Sequence, residues 1–223
     1  MTASILSVGL DFAQPPPCNR LRRSTARATT TSHPVPSPDA KLSLRVYNYA
    51  RIDPASLAIS EQVAAEVFQN VGVAIIWVDC PLSQAQFAKY PACQVGMGTT
   101  DLVLKILPRY MAMKLAARDE PLGFAKPCPE SESACELNVL YHRVDELATY
   151  GYRADRILGH VIAHEVGHVL LGSGHSYVGI MHREWSRYNL QRISWGLLLD
   201  FTDDQSRQLR SAVLRRAKPQ QPG

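Results

Sequence analysis

Between residues 160 and 182 the chain reads HVIAHEVGHVLLGSGHSYVGIMH, and within it His164, Glu165 and His168 form H-E-x-x-H. The motif sits in an apolar run, with Ile157, Leu158, Val161 and Ile162 before it and Val166, Val169 and Leu170 around and after it. Such a run is a buried helix, and polar side chains inside one are costly unless they find partners. Residues four apart on a helix share a face. Two imidazoles therefore reach one zinc ion, while the glutamate beside the first faces the water that such an ion activates. A catalytic zinc takes three protein ligands and keeps its fourth position open. His175 is the candidate third donor, because Gly172, Ser173 and Gly174 are poor helix continuations and a left-handed glycine near Gly172 folds the chain back. Glu184 is the alternative, since His-His-Glu sites also occur with this motif.

His160 lies four residues before His164 but cannot join the same ion. Eight residues of helix rise about 12 Å, whereas nitrogens each about 2.1 Å from one zinc are only a few Å apart. Its expected role is a hydrogen bond in the core or behind the ligands.

The stretch resembles the metzincin metalloproteases, whose pattern is H-E-x-x-H-x-x-G-x-x-H followed by a methionine turn. His164, Glu165, His168, Gly172, His175 and Met181 match it. Three residues, Val169, Leu170 and Leu171, stand between His168 and Gly172 where the pattern has two. The extra one is absorbed as one more helical residue or a small bulge, and it points to a divergent bacterial, matrixin-like branch. The resemblance implies an α/β (α+β) fold, a metzincin-like catalytic domain with a twisted mixed β-sheet, a zinc-binding active-site helix and a C-terminal helix. It also implies a zinc metalloendopeptidase: His164, His168 and His175 as metal ligands for one Zn2+, Glu165 as general base, and Met181 as an apolar filler under the metal. The substrate is then a peptide or protein held extended along an edge strand, either residues 122 to 125 or 138 to 144. Relatives of the astacin type carry a tyrosine two residues after the methionine, where this chain has Arg183.

A chain of 223 residues with 46% apolar and 20% charged residues buries one substantial core. The expected organisation is a loosely ordered extension over 1 to 40, a single domain over 41 to 217 and a frayed tail over 218 to 223. The formal charge of +4 is spread along the chain with no basic run interleaved with aromatics, so nucleic acid is not an expected partner. No apolar run has membrane length, so no membrane partner is expected either, and the expected state is a monomer. Cys80 with Cys93 and Cys128 with Cys135 would close short loops as disulfides, with free thiols as the other reading. The first ten residues lack a basic start and make a poor secretory signal, although the family resemblance implies secretion. Calcium is conceivable at Asp200, Asp203 and Asp204, but no loop has calcium-ligand spacing.

Along the domain, Leu42, Leu44 and Val46 alternate as in a strand. Asp53 and Pro54 open a helix whose stripe is Ile59, Val63, Ala64, Val67 and Phe68, ended by Gly72. Residues 73 to 78 read as a buried strand, joined to the first by a right-handed crossover and parallel to it. Further strands are expected at 101 to 107, 122 to 125 and 138 to 144, with His142 an exposed or hydrogen-bonded histidine in the last. Residues 111 to 120 read as a short helix or loop. Arg156 is expected toward solvent or an acidic partner, and Trp185 and Trp195 in core packing or lining a pocket. Thr202 and Gln205 stand in capping-box spacing ahead of a helix over 203 to 216.

Two rival functions remain open on the residues alone: a catalytically weak metal-binding or protein-binding scaffold, and a zinc hydrolase of a non-peptide amide or ester. The composition of residues 1 to 40, rich in Pro, Ser, Thr and Arg, provides no apolar face. Deleting them is expected to leave thermal unfolding nearly unchanged, and a large fall in melting temperature on deletion contradicts this.

Overall fold

Leu42, Leu44 and Val46 bury their side chains on one strand, β1 (Lys41–Asn48), as their alternation requires. The structure, a computed structural model, describes residues 40–115, 121–126 and 128–218. All of them belong to one compact unit, His33–Gly223; the other unit, Met1–Ser32, lies outside the described residues, as does nearly all of the expected extension.

Helix α1 (Pro54–Val71) starts where Asp53 accepts the backbone N–H groups of Ala55 and Ser56, at 3.1 and 3.0 Å. It ends at Gly72 with φ 79°. Its buried stripe includes Val63, Ala64, Val67 and Phe68, but Ser60 takes the place expected for Ile59. The Ser60 hydroxyl lies 2.8 Å from the carbonyl oxygens of both Ser56 and Asp155 and shares its one proton between them inside the helix crossing. Strand β2 (Ala74–Asp79) is parallel to β1, Lys41 facing Ala74. It is an edge strand and half-buried, not the buried strand expected: Ile76 is 48% exposed. The run VAIIWV is apolar throughout, yet only Ile75 and Trp77 of β2 pack against the core.

The connection that follows forms two short helices, α2 (Gln84–Phe87) and α3 (Pro91–Gln94), tied to β2 by the disulfide Cys80–Cys93. The buried Arg45 guanidinium donates to Cys93 O at 3.1 Å and Val95 O at 2.7 Å, holding the connection against β1. Strand β3 (Asp101–Leu107) pairs parallel with β1 on its other side. Helix α4 (Arg109–Lys114) follows, then β4 (Gly123–Ala125) and β5 (Cys135–Leu140). The sheet order is β2-β1-β3-β5-β4, with β4 alone antiparallel, so the sheet is mixed. Of the two candidate edge strands, 123 to 125 is the edge and β5 is internal.

The strand expected over 138 to 144 stops at Leu140, and residues 141 to 144 belong to α5 (Tyr141–Ala148). Leu140 faces Leu107, the last residue of β3, so beyond it no ladder partner remains. The core-packed Tyr141, Val144 and Leu147 then recur at helical spacing. His142 thus sits on a helix rather than in a strand.

Helix α6 (Ala154–Leu171) packs against α1, β5 and β4, followed by α7 (Arg187–Ser194) and α8 (Asp203–Arg216). A Cβ at Gly159 would come within 2.5 Å of Ser60 O, so this glycine permits the close α1–α6 crossing. Thr202 and Gln205 form the expected capping box of α8. Arg156 is half-buried, with the Asp155 carboxylate under its charge, and its Nε donates to Ile193 O at 3.0 Å. At the end of α8 the Arg216 guanidinium, 2% exposed, donates to Thr99 O, Glu132 O and Cys128 O. It anchors the helix to the loop closed by the second disulfide, Cys128–Cys135.

His160 is fully buried on α6 and fully used. Its Nδ1–H donates to Arg156 O at 2.8 Å, and its Nε2 accepts the Leu199 backbone N–H at 3.1 Å. Burial pushes its pKa down to about 4. Between about pH 6.5 and 4 the unfolded chain takes up a proton that the folded chain refuses, so stability is full above this window and falls as pH drops through it. The cost reaches roughly 3 kcal/mol. Urea unfolding of metal-free protein should show this loss, and His160→Gln should make the pH dependence shallower; an equal slope in the variant contradicts the assignment.

Candidate metal centre

Helix α6 brings His164, Glu165 and His168 to the floor of a cleft because its other positions, Ile157, Leu158, Ile162, Val166 and Val169 among them, are buried in the core. The His164 Nδ1 lies 2.7 Å from Ile180 O, and the His168 Nδ1 lies 3.0 Å from Gly172 O. A carbonyl oxygen only accepts, so in both rings the proton is on Nδ1 and the neutral imidazole keeps a lone pair on Nε2. The two Nε2 atoms are 3.0 Å apart. Burial pushes the pKa of His164 down to about 4, so this ring is neutral at neutral pH.

His175 completes the group. Its ring lies 4.7 Å from that of His168 and 5.6 Å from that of His164, centroid to centroid, and the donor atoms of all three lie within 4.8 Å of one another. Nitrogens sharing one tetrahedral zinc at about 2.1 Å are roughly 3.4 Å apart, so the exposed His175 has at most about 1.4 Å to close. Among the described residues this is the one group of three or more His, Cys, Asp or Glu side chains so placed. The donor set is all imidazole, which suits zinc. Glu184 is exposed and stands outside the group; its backbone N–H donates to His182 Nδ1 at 3.1 Å. His142 and His160 also lie outside it.

The residue inserted between His168 and Gly172 lengthens the helix, which runs to Leu171 and closes with Gly172 N–H on His168 O at 3.1 Å. Gly172 has φ 96° and ψ −175°, a positive-φ conformation as expected but extended rather than left-handed helical. Gly174 keeps an ordinary φ and contributes no reversal. Beyond His175 the chain is held by Ser176 N–H on Met181 O at 2.9 Å and by Ile180 N–H on Asp200 O at 2.8 Å. Met181 is buried against α6: a Cβ on Gly167 would sit 2.5 Å from its sulfur. The methionine therefore packs beside the residue that precedes His168.

Glu165 is 4% exposed, and its Oε2 has no hydrogen-bond partner. Burial pushes its pKa up to about 8. The β4 backbone passes over this carboxylate so closely that a Cβ on Gly123 would lie 2.8 Å from Oε1 and 2.9 Å from Cγ. An orphaned buried oxygen facing a cleft is an acceptor waiting for a donor.

The cleft measures about 660 Å³. One wall is β4 with its flanks, Pro121 and Leu122 included; the other is His182, Arg183, Glu184 and Trp185. Trp185 is half-buried in that wall, while Trp195 is 72% exposed and takes no part in core packing. Sequence reasoning did not single out Gly123 or the Ile180 carbonyl. A glycine within a short strand is a signal of close backbone approach; a carbonyl acceptor leaves no signal in side-chain identity.

No protein-family model matches the chain. No curated protein matches it. Among solved structures it is similar to an archaemetzincin from Methanopyrus kandleri, with 18% identity over 80% of this chain and 98% of that one and a TM-score of 0.46. It is also similar to a zinc-dependent peptidase from Methanocorpusculum labreanum, with 15% identity over 75% of this chain and 99% of that one and a TM-score of 0.48.

Proposed function

We propose that this chain is a zinc-dependent endopeptidase of the metzincin type, in which His164, His168 and His175 hold the ion and Glu165 is the general base. The observation that carries the reading is the pairing of two unprotonated Nε2 atoms 3.0 Å apart with a buried, partnerless Glu165 oxygen in the same cleft. The order of His164, Glu165, His168, His175 and Met181 supports the metzincin assignment, and the matrixin-like branch rests on the same residues. When bound, zinc supplies Lewis acidity toward the scissile carbonyl and an acidified water.

The chain's own residues do the rest. The Nδ1–H bonds of His164 and His168 to carbonyl oxygens keep their Nε2 lone pairs on the ion. Glu165 Oε2 takes a proton from the attacking water and delivers it to the leaving amine. Among the described residues the outer side of β4 (Gly123–Ala125) has no neighbouring strand, and an extended peptide laid along it gains main-chain hydrogen bonds while its bond to be cut crosses Glu165. Met181 fills the space against α6 as an apolar, polarisable side chain. The two disulfides support a secreted or otherwise oxidising location.

The purified protein is expected to retain one zinc by elemental analysis and to cleave an unstructured protein such as casein. Glu165→Gln should keep the metal and lose about 10²- to 10⁴-fold in rate. Full activity in that variant removes Glu165 from the mechanism, and zinc retention without any wild-type hydrolysis of casein leaves a metal-binding scaffold. His175→Ala should lower zinc affinity in a chelator competition; unchanged affinity there excludes it as the third ligand.

A further inference from the structure

The Ile180 carbonyl oxygen accepts two hydrogen bonds, one from His164 Nδ1–H at 2.7 Å and one from the Trp185 indole N–H at 3.1 Å. These use both of its lone pairs. The Trp185 ring also stands edge-on to two histidines one turn apart on α6: its centroid is 5.9 Å from that of His164 at 84° and 6.2 Å from that of His160 at 85°. Ile180 is itself buried, and its N–H is held by Asp200 O at 2.8 Å, so the residue that carries the shared carbonyl is also anchored through the peptide before it.

We propose that Trp185 is a positioning residue of the metal centre: it clamps the Ile180 carbonyl that holds the His164 proton on Nδ1, and it braces the His164 ring so that Nε2 points at the ion. Without the indole N–H, the carbonyl has one donor where it had two and lies next to a cleft wall open to water. It is then free to tilt away from His164, and the imidazole loses its fixed rotation. A tryptophan that served only as a wall of the cleft would need its area and not its N–H, and phenylalanine would replace it without effect on the metal. The inference rests on the metal-binding half of the proposed function and not on hydrolysis.

The test compares wild type, Trp185→Phe and, as a control, Trp195→Phe, whose indole is exposed and remote from these hydrogen bonds. Zinc dissociation constants come from competition with a chromophoric chelator, ligand geometry from the visible d–d bands of the cobalt(II)-loaded proteins, and folding from thermal unfolding of the metal-free forms. Trp185→Phe is expected to bind zinc about tenfold more weakly, with altered cobalt bands, while Trp195→Phe matches wild type in both. Wild-type affinity and an unchanged cobalt spectrum in folded Trp185→Phe overturn the inference alone. Failure of the wild type to bind zinc overturns it together with the proposed function. Should Trp185→Phe not fold, the coupling is read in the wild type, because linkage is reciprocal: zinc must strengthen the bond that helps to bind it. Hydrogen exchange of the Trp185 indole N–H is then expected to slow about tenfold on zinc loading, beyond any change at Trp77, and no slowing beyond Trp77 overturns the proposal.

Discussion

The Nε2 atoms of His164 and His168 face each other at 3.0 Å in a dry helix, and the arrangement of the surrounding chain follows from keeping them there. Each proton is drawn to the far side of its ring by a carbonyl, one from the end of α6 and one from the turn beyond His175. That turn is not placed by α6 itself. Gly179 sits so close to Asp200 that a Cβ there would lie 2.6 Å from Asp200 O, and Ile180 donates to the same oxygen. Asp200 in turn follows Leu199, whose N–H is accepted by His160 back on α6. One histidine of the helix thus helps to place the segment that orients another, and between the two rings the link runs through backbone groups.

The price of such a helix is polar groups in a dry interior, and it is met by close packing on three sides of α6. Gly159 lets α1 approach, Gly167 leaves room for Met181, and Gly123 of β4 lets the strand backbone lie on the Glu165 carboxylate. A methyl group at any of the three would meet atoms at 2.5 to 2.8 Å. The outer parts of the chain brace this packing. Cys128 N–H reaches Val169 O on α6, and Arg216 grips the same loop from α8, so the loop between β4 and β5 is tied to the site helix and the last helix at once.

Much of this was readable from residue pattern because the decisive elements announce themselves locally. The cap at Asp53, the box at Thr202 and Gln205, and the i, i+4 histidines each act within one or two helical turns, and the observed helices begin and end within a residue or two of the expected bounds. The misreadings fall where a distant partner decides. Residues 141 to 144 look like strand until β3 ends at Leu107 and leaves them nothing to pair with. β2 reads as buried by composition, but its outer neighbour does not exist among the described residues. The Ile180 oxygen belongs to the same class: every residue has a carbonyl, and only the fold says which one receives two donors.

The bare main chain at Gly123 divides the labour between the two walls of the cleft. Where β4 crosses Glu165 there is no side chain to exchange, and none can be added without pushing the carboxylate from its seat. A ligand meets the same peptide groups there whatever its own sequence. Side-chain variety in the cleft comes instead from the flanks of Gly123, Leu122 and Phe124 among them, and from His182, Arg183 and Glu184, which lie on a turn outside the core. Drift in what such a protein recognises can accumulate on that turn while the chemistry beneath β4 stays as it is.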